Sequence, residues 1–215
     1  GGRQDGVVIK INANANAVMW STYLGGNGED AAFVLSIDPL NPQTIFVAGG
    51  TTSNNFPGTA AGVLQPVYNG GIADGYVSNL VDNGTAVSLL RTTYLGTGQT
   101  DLVYGIQFDQ KGFPYVMGTS TGNWPVQNAV YSVANSRQFI AKLRPDLGAF
   151  IYSTTFGTPG AISPNISPVA FLVDNCENVY VSGWGGAANN FGGGSSAYPT
   201  AGTTGLPITN DAFQR

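Results

Sequence analysis

The sequence predicts an all-β chain, a β-propeller fragment made of four-stranded antiparallel blades, two complete and two half-blades. Three observations carry this prediction. The motif STYLGG at 21–26 returns as TTYLG at 92–96 and, altered, as STTFG at 153–157. Between the copies, short β-branched and aromatic runs bounded by Gly and Asn clusters recur in the same order, the mark of strands joined by tight turns. No window sustains an apolar period of 3.6 residues, so no helix is expected.

In chain order, DGVVIKI at 5–11 alternates as a strand, Asn12–Asn16 turns, and Val18–Leu24 forms the next strand, closed by Gly25-Gly26-Asn27-Gly28. FVLSID at 33–38 and TIFVAGGTTS at 44–53 follow, with Gly49-Gly50 suited to a bulge or a close approach of neighbouring chain. A loop through Phe56-Pro57 leads to DGYVSNL at 74–80, where the pattern of 5–11 restarts. The second round continues with SLLRTTYLG (88–96), YGIQFD (104–109), PYVMGTST (114–121) and Trp124-Pro125. The third has RQFIAKL (137–143), FIYSTTFG (150–157), VAFLVD (169–174) and VYVSGWGG (179–186), then a Gly/Ser-rich insertion at 187–205, Leu206-Pro207 and DAFQ at 211–214.

Tyr23 to Tyr94 spans 71 residues and Tyr94 to Thr155 spans 61, with four strands in each period. A unit of this kind cannot bury its own face and stacks on its neighbours. Four short antiparallel strands per unit describe a propeller blade; a β-solenoid is the alternative, but its coils are shorter and usually parallel. With the FVLSID-type strands innermost, residues 1–215 read as part of one propeller domain: an outer half-blade at 5–26, blades at 29–96 and 101–157, and an inner half-blade with the insertion at 166–215. Joining the halves would make a ring of three, below the four to eight blades of propellers. The chain is therefore expected to belong to a longer protein whose remaining blades or domains, or another chain, cover its open edges.

Composition narrows the partners. Charged residues are 9% of the chain against a usual ~25%, so Gly, Asn, Ser, Thr and Gln must make the surface. A net charge of −4 with eight scattered basic residues provides no footprint for nucleic acid. No apolar run approaches the ~20 residues that span a bilayer, so membrane insertion is not expected. Gly1–Asp5 is not a signal peptide, and any export signal is expected outside this sequence. Histidine is absent, which removes His-based triads and His-ligated metals.

Individual residues point to scaffold more than to chemistry. Asp38, Asp109 and Asp174 each end an inner strand and suit turn capping. Asn27, Glu29 and Asp30 offer oxygens to calcium, but at no EF-hand-like spacing. The only glutamates are Glu29 and Glu177, the latter in a turn, so paired catalytic carboxylates are not evident. Trp20, Trp124 and Trp184 are expected as filling between blades rather than as a sugar platform. Phe56-Pro57, Trp124-Pro125 and Leu206-Pro207 read as an apolar packing column. GWGG at 183–186 lacks the Lys and helix of a phosphate loop. Cys176 is read as a small buried residue beside a turn, with a bridge to a part outside this sequence as the sharper alternative. Asn83 and Asn165 lie in N-x-S/T sequons. No catalytic, cofactor or metal residues are assigned, and no cofactor is expected.

DGVVIKI, STYLGG, FVLSID and FVAGGTTS followed by Phe56-Pro57 resemble the SBBP (seven-bladed β-propeller) repeat, over nearly the whole chain. Asp174-Asn175-Cys176, VYVSGWGG and DAFQ resemble large secreted surface proteins of Bacteroidetes, linked with type 9 secretion and gliding motility. The chain departs from that pattern at Arg137, where the repeat usually has Asp, and in the insertion at 187–205. The resemblance implies an extracellular or outer-membrane-associated location. The function expected is a non-catalytic structural or adhesive module of a secreted or cell-surface repeat protein. The alternatives are a glycan- or protein-binding propeller using loops on one face, with 187–205 as the contact, and a fragment of a polysaccharide-active enzyme.

Overall fold

The computed structural model describes residues 2–185 and 202–213. Twelve strands follow one another among them: β1 (Gly6–Ile11), β2 (Val18–Leu24), β3 (Asp30–Ile37), β4 (Thr44–Thr51), β5 (Asp74–Asp82), β6 (Val87–Leu95), β7 (Asp101–Phe108), β8 (Pro114–Ser120), β9 (Gln138–Leu143), β10 (Phe150–Phe156), β11 (Ser167–Val173) and β12 (Val179–Trp184). They form two four-stranded antiparallel sheets, β3 to β6 and β7 to β10, each pairing in sequence order, and two hairpins, β1–β2 and β11–β12. These are half-blade I, blades II and III, and half-blade IV. The inner strands β3, β7 and β11 lie side by side, and Phe33 of β3 stacks on Tyr104 of β7 at 5.3 Å between ring centroids.

Apolar layers between sheets hold the array together. Val8, Trp20 and Leu24 of half-blade I pack on Ile45, Val47, Tyr76 and Tyr94 of blade II. Phe46, Ala48 and Val77, from the opposite face of the same blade, pack on Val103, Ile106 and Phe139 of blade III. Tyr115 and Met117 of blade III then meet Phe171 of half-blade IV. Strands β4 and β8 are therefore buried on both faces, and they read as unbroken apolar runs rather than alternating ones. Fully burying one such side chain stabilises by roughly 1.5–3 kcal/mol.

The inner pair of every blade carries one irregularity. Register shifts fall between Ala32 and Val34, Val103 and Gly105, and Pro168 and Ala170. Opposite them Gly49, Gly118 and Gly183 stand where a Cβ would enter the backbone carbonyls of Ala31, Leu102 and Ser167. The Gly49-Gly50 pair thus marks both a bulge and a close approach.

Both flanks of the array expose apolar side chains among the described residues. Val7, Ile9 and Ile11 of β1 are each more than half exposed, as are Val169, Leu172 and Tyr180 of half-blade IV. Trp184 is 50% exposed, so the expectation that all three tryptophans fill the inter-blade core fails there. It ends β12, in the hairpin whose strand β11 packs on β7 and β8 of blade III.

Candidate functional site

The hairpin aspartates cap their turns. Asp38 Oδ1 accepts the Leu40 N–H at 2.9 Å, Asp109 Oδ1 accepts those of Lys111 and Phe113 at 2.9 Å, and Asp174 Oδ1 accepts those of Cys176 and Asn178 at 2.8 Å. Cys176 is exposed, which overturns its reading as a buried residue. It stands at the turn position whose equivalents in the other blades, Leu40 and Lys111, are exposed as well. Trp124 is buried, stacked on Phe139 at 3.5 Å with its Nε1–H on Ser153 Oγ; Trp20 is buried and donates to Asp82. Of the apolar-Pro column, Phe56 and Trp124 enter the core while Leu206 is half-buried. Most of 187–205 lies outside the described residues.

The repeated motif acquires its meaning at the seams between blades. After each outer strand comes a glycine, Gly25, Gly96 or Gly157, and then a residue whose N–H donates to the side chain opening the next blade. Gly26 N–H reaches Asp30 at 2.7 Å, Thr97 N–H reaches Asp101 at 2.6 Å, and Thr158 N–H reaches Asn165 at 2.8 Å. A second polar side chain, from the blade before, stands beside that glycine. A Cβ on Gly25 would stand 2.6 Å from both Asp5 Oδ1 and Asp30 Oδ2. On Gly96 it would stand 2.7 Å from Asp74 Oδ2 and nearer to the rest of that carboxyl, and on Gly157 it would meet Gln138 and Asn165. Glycine recurs in the motif because polar side chains fill the space beside it.

Asp30 is therefore turned inward, accepting from Thr51 and Ser53, while Asn27 uses its amide on Asn54 and Glu29 faces solvent. The three oxygens weighed for calcium do not converge. Arg137 holds the carbonyls of Thr121, Gly122 and Ala161. Its neighbour Gln138 supplies the side chain that closes the third seam in place of the missing acid. Asn165 is buried, with its Nδ2 on Thr158 and Gly202, so this sequon is closed in the fold. Asn83 is exposed.

In the second seam, Asp74 and Asp101 are both fully buried. Burial, and then the charge of Asp101, push the Asp74 carboxyl up to about 7; burial also raises Asp101. Asp74 accepts from the Asn69 N–H at 2.7 Å and from Gln65 at 3.3 Å. Each acid keeps one buried oxygen, Oδ1, with no hydrogen-bond partner.

A second cluster, invisible in the sequence, ties blade III to half-blade IV. Lys142, 8% exposed, lies 2.8 Å from both Asp109 Oδ2 and Glu177 Oε2, and over the rings of Phe113 and Tyr115. Glu177 also accepts from Tyr115 OH and Lys111 at 2.8 Å. These hydrogen bonds, led by Lys111 and then Lys142, hold its carboxyl down at about 2. Burial works against the Lys142 charge, but bonds to Asp109 and Glu177 outweigh it and raise the ammonium above its ordinary range. Burial pushes Tyr115 up to about 12. Glu177 has φ +64°, the left-handed backbone that Gly112 adopts in the equivalent turn of blade III. Such a conformation costs a non-glycine residue about 1–2 kcal/mol, offset here by three charge-assisted bonds.

Between the loops of blades II and III lies a cleft of about 730 Å³. Amides line it (Gln65, Asn69, Gln99, Asn123 and Gln127), with Phe150 and Trp124 at its apolar wall. No family model matches the chain, and no curated protein matches it. The class of protein is set by the fold: an all-β repeat array of four-stranded antiparallel blades stacked face to face.

Proposed function

We propose that the chain is a non-catalytic structural or adhesive module of a secreted or cell-surface repeat protein, of the SBBP-like kind its motifs resemble and linked with surface adhesion or gliding. The observation that carries this reading is the finishing of the array. Its interior junctions are closed by repeated side-chain latches, while both flanks end in apolar strands ready for a further blade. Val7, Ile9 and Ile11 at one end, with Val169 and Leu172 at the other, are the faces that remaining blades of the same protein, or another chain, would cover. Buried Asp30, Asp101, Gln138 and Asn165 are spent on the seams, which suits a load-bearing frame. Deleting this segment from the intact protein in its host is expected to reduce attachment of cells to surfaces. Unchanged attachment together with turnover of a polysaccharide by the purified protein would overturn the reading.

The cleft favours a second reading, a neutral-glycan contact on one loop face. Its amides donate and accept, as sugar hydroxyls require, and charged side chains are not among the described residues lining it. A glycan array with the purified chain tests it: binding lost on Asn123→Ala and Gln99→Ala supports it, and an array without hits removes it.

A further inference from the structure

The three seams are the same junction written with different side chains, and the comparison assigns a proton. In the third, Gln138 and Asn165 satisfy each other: Gln138 Nε2 donates to Asn165 Oδ1 at 3.2 Å, and the Asn165 N–H donates to Gln138 Oε1. Amides carry both donors and acceptors. In the second seam the same place holds Asp74 and Asp101, and ionised carboxylates only accept. Two acceptors thus stand where the third seam has donors as well, and the hydrogen bonds of Asn69, Gln65 and Thr97 go to Asp74 Oδ2 and Asp101 Oδ2. Oδ1 of Asp74 and Oδ1 of Asp101 are both buried and both unpartnered, as is Oδ1 of Asp5 in the first seam, where Asp30 is instead satisfied by Thr51 and Ser53.

We propose that the seam between blades II and III is a proton-binding site, in which Asp74 is protonated in the folded protein at neutral pH and donates its O–H across the seam to Asp101. One proton satisfies both orphan oxygens, and it makes the acid pair the equivalent of the amide pair at Gln138 and Asn165. The upward displacement of Asp74 agrees with this.

The groups facing the pair leave it the titrating element. Tyr68, on the loop before β5, and Tyr94, on β6, are both raised further above neutrality, chiefly by burial. Gln65, Asn69, Thr97 and Ser120 are neutral donors to the two acids. Arg137, at the head of β9, is engaged with backbone carbonyls. Asp30 belongs to the preceding seam, across Tyr94.

The sign follows from linkage. The folded carboxyl titrates at about 7, above the ~3.9 of an unfolded aspartate, so the folded state binds the extra proton. Its stabilisation is complete below about pH 4 and is lost as pH rises through about 7. Between those limits the unfolding equilibrium constant is expected to rise by up to about tenfold per pH unit.

The test is urea unfolding of the full chain from pH 4.5 to 9, for the native sequence, Asp74→Asn and Asp101→Asn, with and without calcium. Asparagine at 74 supplies the missing donor without a proton. The expected result is a midpoint that falls with rising pH in the native chain and is flat through pH 7 in Asp74→Asn. Carboxyl carbon NMR of the native chain, expected to show one aspartate titrating near neutrality, keeps the test decisive should a variant fail to fold. Identical pH profiles with all aspartates titrating below pH 5 would overturn the proposal. So would a calcium-dependent stabilisation at pH 8 that Asp74→Asn abolishes, since the seam would then hold a cation.

Discussion

Replacing Gly96 by alanine tests why the motif repeats. The new Cβ would lie 2.7 Å from Asp74 Oδ2 and nearer still to the carboxyl carbon, where an uncrowded contact needs roughly 3.5 Å. Asp74 is fully buried and fixed by the Asn69 N–H and Gln65, so it cannot swing aside freely. Overpacking of this size costs about 1–3 kcal/mol, and loosening a hydrogen bond to the carboxylate adds about 1 kcal/mol. The backbone-entropy gain of Gly→Ala returns about 0.4–1 kcal/mol. A net loss of about 2 kcal/mol lowers the melting temperature by about 4–8 °C for a chain of this length. Circular dichroism melts measure it, with Gly98→Ala as the control, because nothing lies within 4 Å of a Cβ there. A Gly96→Ala protein that melts at or above the native chain would refute the idea that seam side chains select glycine.

Lys142→Met should destabilise by about 3–5 kcal/mol, because it strands the buried Asp109 carboxylate. Urea unfolding would read this, and Asp109→Asn in the same chain should recover part of the loss. Glu177 is held down at about 2, so its contribution is present above the ordinary ~4.3 of glutamate and is lost as pH falls toward 2. Acid unfolding followed by near-ultraviolet circular dichroism should lose that segment of pH dependence in Glu177→Gln. Trp124→Ala removes a ring stacked on Phe139 and a bond to Ser153, with an expected cost of about 3–5 kcal/mol by the same unfolding assay.

The strands were readable because each is a short apolar run between turn residues, and the hairpin aspartates because their bonds reach only two to four residues ahead. What joins blades was not. Lys142 meets Glu177 across 35 positions and Lys111 meets it across 66, with no spacing that marks either pair. Arg137 is the visible departure from the repeat, whereas the compensating residue is Gln138, one position on. Residue type suggests burial for Cys176 and Trp184. Yet Cys176 holds a turn position that is exposed in every copy (Leu40 and Lys111 are its equivalents), and Trp184 ends the β11–β12 hairpin, which packs on blade III. The glycine of the motif was visible as a letter; its reason lay in side chains contributed from Asp5, Asp74 and Gln138, far upstream of it.

The concealed Asn165 has a practical corollary. An oligosaccharide transferred to its amide while the polypeptide is still emerging would be a wedge at the third junction, displacing the contacts with Thr158 and Gly202 that the finished protein makes. Asn83, out on an open hairpin bend, would carry the same decoration harmlessly. Eukaryotic secretory hosts would accordingly split their product between molecules that assemble and molecules jammed at one joint.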